Sequence, residues 1–201
     1  MSTAKTRPYA MTRRAEQVDE TRLRITEAAV RLHTSVGPAN TSIASVAEEA
    51  GVTRVTVYRH FSSLDELFVA CTTHWRALNP PPDAAAWLDI EDFGARATRA
   101  FGELYTWYRD HADDLYPINR DSDAMPASAR QAAVERNRFL VAAILADEVS
   151  AASGGDERSR RLHAVAGHLT QFMTWHSLAV GQGLPTGADA DVAVRILMAM
   201  A

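Results

Sequence analysis

One stretch constrains this chain more than any other: Thr41 to Leu67, TSIASVAEEAGVTRVTVYRHFSSLDEL. Ile43, Val46, Ala47 and Ala50 recur at i, i+3, i+4 and i+7, one apolar face of a helix that Thr41 or Ser42 can cap. Gly51 ends that helix, because glycine takes the left-handed conformation beyond a helix C-terminus without steric cost. Val52 turns inward, and Thr53 offers a side-chain oxygen to the first turn of a second helix. There Val57 and Phe61, four residues apart, face a core and leave Arg54, Val55, Thr56, Arg59 and His60 outward. Two short helices at a tight turn, the second with Arg, Thr and His on its free face, suit a major groove. The spacing predicts a helix-turn-helix that reads duplex DNA.

The flanks complete that unit. A helix is predicted from about Asp19, with Ile25, Ala28, Ala29, Leu32 and Val36 on one face, ending near Gly37-Pro38 where proline cannot continue the ladder. Residues 1–17 lack hydrophobic periodicity and contain Pro8, which predicts a disordered basic arm. Its Lys5, Arg7, Arg13 and Arg14 could follow a phosphate backbone or enter a minor groove, or belong to a solvated tail. Downstream, Ser63 and Glu66 read as a capping box opening a helix with Leu64, Leu67, Phe68, Cys71 and Trp75 inward, to about Leu78. Asn79-Pro80-Pro81-Pro82 is the clearest break. It divides the chain into a DNA-binding domain with its connecting helix, 18–80, and a second domain, 81–201.

These residues resemble the TetR family of transcriptional regulators. The pattern TSIxxVAEEAGVTxxTVYRHFxSxDEL carries the resemblance over roughly residues 20 to 75, and Tyr58-Arg59-His60-Phe61 is its most specific part. The resemblance implies a homodimeric, ligand-responsive regulator, usually a repressor, on a palindromic operator. In that reading Arg54, Val55, Thr56 and Arg59 face base edges, while Thr41, Thr53, Tyr58 and His60 hold phosphates. It further implies that the helix after the recognition helix carries the switch through its tilt, and that the last two helices pair with their symmetry mates. One departure matters: many relatives have a phosphate-holding Lys where this chain has Leu64, so Ser62 or Ser63 would have to substitute.

The remainder reads as helix throughout, with spans near 90–111, 127–153, 157–181 and 188–200 and a broken segment around 114–122. Breaks fall at Pro117, Pro126, Gly154-Gly155 and the Gly181 to Gly187 segment. The predicted fold is all-α: an N-terminal three-helix helix-turn-helix unit, then a larger helical ligand-binding and dimerisation bundle. Aromatic and polar residues gather on two helices. Phe101, Leu104, Tyr105, Trp107 and Tyr108 lie on one; His168, Phe172, Met173, Trp175 and His176 lie on the other. Such helices can enclose a mainly apolar small-molecule site, although aromatics at helical spacing also make ordinary core. Phe101, Tyr105, Tyr108, His168, Phe172, Trp175 and His176 are the candidate ligand contacts. Among them the phenols and imidazoles rank first, because a buried phenol or imidazole needs a polar partner. Leu162, Val165, Ala166, Leu169, Phe172, Met173, Ala179 and Val180 form a broad stripe, and Val192, Val194, Ile196, Leu197, Met198 and Met200 crowd the last helix. Helices this apolar bury more than one side, against a second copy or inside a monomeric bundle.

Composition excludes several classes. No apolar run reaches the ~18 residues of a membrane span, and the basic N-terminus has no following apolar segment of a secretory signal. Cys71 is the only cysteine, which excludes an internal disulfide or a multi-thiolate zinc site and suits a reducing cytoplasm. The net charge of −4 divides unevenly: residues 1–64 hold nine basic and six acidic residues, +3, and the rest twelve and nineteen, −7. That split directs the first unit toward phosphates. No HExxH, GxSxG, P-loop or GxGxxG pattern occurs, so no catalytic residue, cofactor or metal is expected. The alternatives are a constitutive DNA binder without effector, a helical enzyme with a metal near His111, Asp113 and Asp114, or a protein-interaction module. The last would have no need for the outward Arg54, Thr56, Tyr58, Arg59 and His60.

Overall fold

A computed structural model of the chain describes residues 6–146 and 157–201, with side chains from residue 15 onward. Two compact units meet in the sequence at Asn79 and Pro80. Ten α-helices and short 3-10 turns make up the described residues, and no strand occurs among them.

The first unit holds α1 (Thr6–Ser35), α2 (Ile43–Glu49), α3 (Arg54–His60) and α4 (Leu64–Leu78). Its core comes from all four: Ile25, Ala28 and Ala29; Val46, Ala47 and Ala50; Val57 and Phe61; Leu67 and Cys71. Alanines on α1 and α2 let the short helices approach closely, so one compact cluster serves the whole unit. Ser42 caps α2, its hydroxyl accepting from Ser45 N at 3.1 Å while Ser45 Oγ accepts from Ser42 N at 2.9 Å. Gly51, at φ 65°, ends α2 in the left-handed region. Gly51 N then donates to Glu48 O at 3.0 Å and Val52 N to Ala47 O at 2.9 Å, the paired closure that satisfies the last carbonyls.

Three sequence expectations for this unit are corrected. Residues 6–17 are helix rather than a disordered arm: α1 begins at Thr6, not near Asp19. Arg7, Ala10, Met11, Arg13, Arg14, Ala15, Glu16 and Gln17 are all good helix formers, so the segment can propagate helix without an apolar face to mark it, and Pro8 in the first turn lacks only an N–H that has no intrahelical acceptor there. Lys5 and the side chains of Arg7, Arg13 and Arg14 lie outside the described residues. Val36 and Leu64 point outward, 43% and 58% exposed, because each sits at a helix end where the apolar face is no longer covered. The capping box at α4 is shifted. Ser63 Oγ accepts from Glu66 N at 3.1 Å, but the Glu66 carboxylate returns to Ser62, one residue early, taking Ser62 N at 2.8 Å.

The second unit contains α5 (Phe93–Asp110), α6 (Ala112–Arg120), α7 (Ala127–Leu145), α8 (Glu157–Leu169), α9 (Phe172–His176) and α10 (Ala188–Met198), with a π-turn at Ser177–Gly181. Helix α5 is central, packing against α7, α10, α6 and α9. Ala97, Ala100, Phe101, Leu104 and Tyr105 of α5 are buried with Ile144 and Leu145 of α7, Leu162 and Ala166 of α8, and Ala193 and Leu197 of α10. Buried Arg96 donates to Ile144 O at 2.8 Å, at the end of α7 where the helix dipole favours a cation, and to Ile90 O at 2.6 Å in the turn before α5.

Here too the expected spans shift. Pro117 lies inside α6 instead of breaking it. In a nine-residue helix the missing N–H removes a single ladder bond, and burial of Leu115 and Pro117 offsets it. The expected helix 157–181 is interrupted at Thr170-Gln171 and loosens into the π-turn. The helix expected over 127–153 ends at Leu145, where Ala146 leaves the helical region at φ 37°; residues 147–156 lie outside the described residues. Leu169 and Phe172, 2% and 4% exposed, face this unit's own core rather than a free seam.

Candidate nucleic-acid interface and the aromatic interior

Helix α3 is two turns long and held from one side only. Val57 and Phe61 are buried in the unit's core, which turns the opposite side outward. Thr53 caps the helix, its Oγ1 accepting from Thr56 N at 3.2 Å and lying 2.9 Å from Thr56 Oγ1. Arg54, Val55, Tyr58 and Arg59 are exposed, Val55 and Tyr58 at 78% and 58%. Among the described residues neither Arg54 nor Arg59 enters an ion pair. Thr56 and His60 are half-buried at the margin of this face. The His60 pKa is lowered by desolvation, then by Arg59 and Arg22. At neutral pH its imidazole is therefore an uncharged hydrogen-bonding group, not a cation. Thr41 is half-buried and donates to Gly37 O at 2.9 Å, which leaves its oxygen free only as an acceptor.

The eight expected DNA contacts thus split. Arg54, Val55, Tyr58 and Arg59 share one open surface, Thr53 caps it, Thr56 and His60 edge it, and Thr41 belongs to the turn before α2. Neither Ser62 nor Ser63 stands idle in place of the missing lysine. Ser62 Oγ donates to Glu66 at 2.9 Å and Ser63 Oγ caps α4.

Sequence reading missed Arg22. Its guanidinium donates to His60 O at the end of α3 and to Glu66 Oε1 on α4 at 2.9 Å, and lies 4.1 Å above the Phe61 ring centroid. The available signal was a charge on the apolar stripe of α1, since Arg22 shares a face with Ile25 and Ala29. Glu66 is held below the usual carboxylate range by the Ser62 N–H, by Arg22 and by the Ser62 hydroxyl.

In the second unit the candidate ligand residues assemble incompletely. Tyr108 lies 5.4 Å from Phe172 and 6.0 Å from Trp175, ring to ring, and Phe101 is 5.6 Å from Tyr105. These five rings form one buried cluster. His176 is half-buried and stacks on Tyr116 at 4.6 Å. His168 points outward, exposed, with its Nε2 3.4 Å from Thr174 Oγ1. The phenols find their partners inside the protein. Tyr105 OH donates to Leu169 O at 2.8 Å and Tyr108 OH to Thr170 O at 2.6 Å, the carbonyls freed where α8 breaks from α9. Trp175 Nε1 donates to buried Asp189 at 3.0 Å. Away from the cluster, an open groove of about 580 Å³ runs between Pro80–Pro82 and the face of α5 that carries Thr98, Gly102, Thr106 and Trp107. Among the described residues no three His, Cys, Asp or Glu side chains converge to hold a metal, and no helix is long and apolar enough to cross a membrane.

Comparison with known proteins matches this geometry. Residues 25–71 fit the family described as bacterial regulatory proteins, tetR family. Over 58 residues the chain is 48% identical to the HTH-type transcriptional regulator TtgR of Pseudomonas putida, a match covering 29% of this chain and 28% of that protein. Over 53 residues it is 41% identical to AcrR of Shigella flexneri, covering 26% and 25%. The chain therefore spans little more than a quarter of the curated relatives it matches. Whole-chain likeness is to fold. A tetR-family regulator from Streptomyces coelicolor superposes with TM-score 0.57 at 19% identity, over 90% of this chain and 80% of that one. NalD of Pseudomonas aeruginosa, the secondary repressor of the MexAB-OprM multidrug efflux pump, gives 0.52 at 22%, over 92% and 97%.

Proposed function

We infer that this chain, which belongs to the tetR family of bacterial regulatory proteins, is a DNA-binding transcriptional regulator acting as a homodimeric repressor on a palindromic operator. The observation that carries the reading is α3: every apolar anchor faces the core, and its free side offers two unpaired arginines, a tyrosine and a valine. Arginines on an exposed helix face can read guanine edges, and an exposed valine suits a thymine methyl. Selection of bound duplexes from a random library with the purified protein tests it. Recovery of a two-fold symmetric site with half-sites about 34–36 Å apart is expected; recovery of no duplex overturns the reading.

Base and phosphate roles then separate. Tyr58→Phe is expected to weaken binding to all duplexes alike, because a phosphate contact carries little base information. Arg59→Ala is expected to relax preference at one position by about 1–3 kcal/mol. Titration of single-base operator variants reads both, and an unchanged preference profile for Arg59→Ala moves that residue to the backbone class. Exposed Leu64 supplies a gain. Leu64→Lys is expected to tighten binding to every duplex and to steepen the salt dependence by about one counterion. Equal salt slopes would show that the position lies away from the phosphates.

Dimerisation is assigned to the end of the chain. Support comes from apolar side chains left open there: Val180 at 58% and Ile196, Met198 and Met200 at 40–41% exposure. Ile196→Glu places a charge on that surface without entering the core. Sedimentation is expected to give folded monomers that lose the palindromic site; a folded dimer locates the interface elsewhere.

The effector is taken to be a small, largely apolar molecule, for which the groove beside Pro80–Pro82 offers open space. A second reading, a constitutive binder without effector, is favoured by the internal pairing of Tyr105, Tyr108 and Trp175. A thermal-shift ligand screen followed by operator titration separates them. A stabilising compound that changes operator affinity supports the first reading, and tight binding without that change supports the second.

A further inference from the structure

We propose that Arg22 is a positioning residue of the DNA-binding face: its guanidinium locks the end of the recognition helix α3 to the first turn of α4. The proposal rests on the DNA-binding reading and adds to it a residue on another helix that sets the aim of the reading surface.

Three contacts converge on one planar group. Arg22 satisfies the carbonyl of His60, the last residue of α3, and pairs with Glu66 Oε1 at 2.9 Å while its face covers Phe61. The other Glu66 oxygen takes Ser62 N at 2.8 Å and Ser62 Oγ at 2.9 Å. The bend from His60 to Glu66 is therefore gripped at its start, its middle and its end. Only a fork of donors with a flat face does this; a lysine ammonium cannot reach carbonyl and carboxylate in that geometry and also stack.

The grip acts where α3 is weakest. A seven-residue helix leaves its last carbonyls without intrahelical donors, and its final turn carries Arg59 and His60. A frayed final turn would release those side chains while the buried Val57 and Phe61 stay in place. Arg22 is also well placed for removal without unfolding. Its side chain is 39% exposed, whereas Ile25, Val57 and Phe61 beneath it are fully buried.

The experiment uses the full chain, the duplex recovered by selection and an unrelated duplex of equal length. Both are titrated at several salt concentrations alongside thermal unfolding. Arg22→Met keeps the apolar stem and is expected to stay folded. On the selected duplex it should lose on the order of tenfold in affinity, the worth of a charge-assisted contact. On the unrelated duplex it should lose much less, with an unchanged salt slope. Arg22→Lys should fail to restore the preference. A salt slope shallower by about one makes Arg22 a phosphate contact and overturns the proposal. So does equal loss on both duplexes, the mark of a smaller folded fraction, or no loss at all. If Arg22→Met does not fold, Glu66→Gln decides: a lower preference ratio supports the grip and an unchanged ratio overturns it. A wild-type chain that binds neither duplex overturns the DNA-binding reading before any variant is compared.

Discussion

Asp189→Ala is expected to cost the second unit about 3–5 kcal/mol, the range for removing one member of a buried, paired charge. Asp189 is 1% exposed at the first turn of α10. Its carboxylate accepts from Arg109 on α5, from Trp175 Nε1 on α9 at 3.0 Å, and from the Gly187 and Ala190 N–H groups at 3.1 and 2.9 Å. One side chain thus joins three helices and satisfies the amides that open α10, where a negative charge also complements the helix dipole. Alanine strands the indole N–H in the interior, although Arg109, 29% exposed, can turn toward water. Asp189→Asn keeps an acceptor oxygen and should cost less. Chemical unfolding of both variants checks the order, and a loss under about 1 kcal/mol for Asp189→Ala would mean that the network adds little beyond one ordinary hydrogen bond.

Acid should loosen the first unit through His33. The ring is buried on α1, 4.6 Å from Phe68 on α4, and desolvation lowers its pKa from 6.5 to about 4. Between those values the unfolded chain binds a proton that the folded unit refuses. The contribution is therefore complete above about pH 6.5 and falls as pH drops toward 4, by about 3 kcal/mol in all. His33→Phe keeps a ring against Phe68 and removes the titration. The difference in unfolding free energy between wild type and this variant should change across pH 6.5 to 4 and be flat above pH 7. A difference that stays flat throughout places the ring in contact with water. Glu66, whose pKa is lowered, loses its contribution only as pH falls below the ordinary carboxylate value of 4.5, a separate window. Cys71 takes no part: burial pushes its thiol up to about 12, and it donates weakly to Thr26 O.

Most of the first unit was legible because its signals are local. A cap, a left-handed glycine and two apolar residues four apart each act within one turn, so Ser42, Gly51, Val57 and Phe61 announced their helices and, by elimination, the outward face of α3. The second unit was legible in composition but not in detail. No glycine or proline marks the break at Thr170-Gln171; two tyrosines 64 and 62 residues upstream hold the carbonyls there, and a partner that distant leaves no local trace. The same tyrosines look from sequence like ligand contacts, because periodicity gives the face of a helix but not what fills the space before it. His168 stands outward because it lies off the α8 face that carries buried Leu162, Ala166 and Leu169.

What the sequence by itself determined is therefore the all-helical class, the helix-turn-helix and the identity of its free side chains, since these follow from backbone preference and the period of apolar residues. Only the tertiary structure decided which polar groups already have partners. Arg22 became a brace across α3 and α4, Asp189 the junction of three helices, and the aromatic set a packed interior. Each depends on side chains from separate helices meeting at hydrogen-bonding distance, and such a meeting is fixed by packing rather than by any short-range pattern.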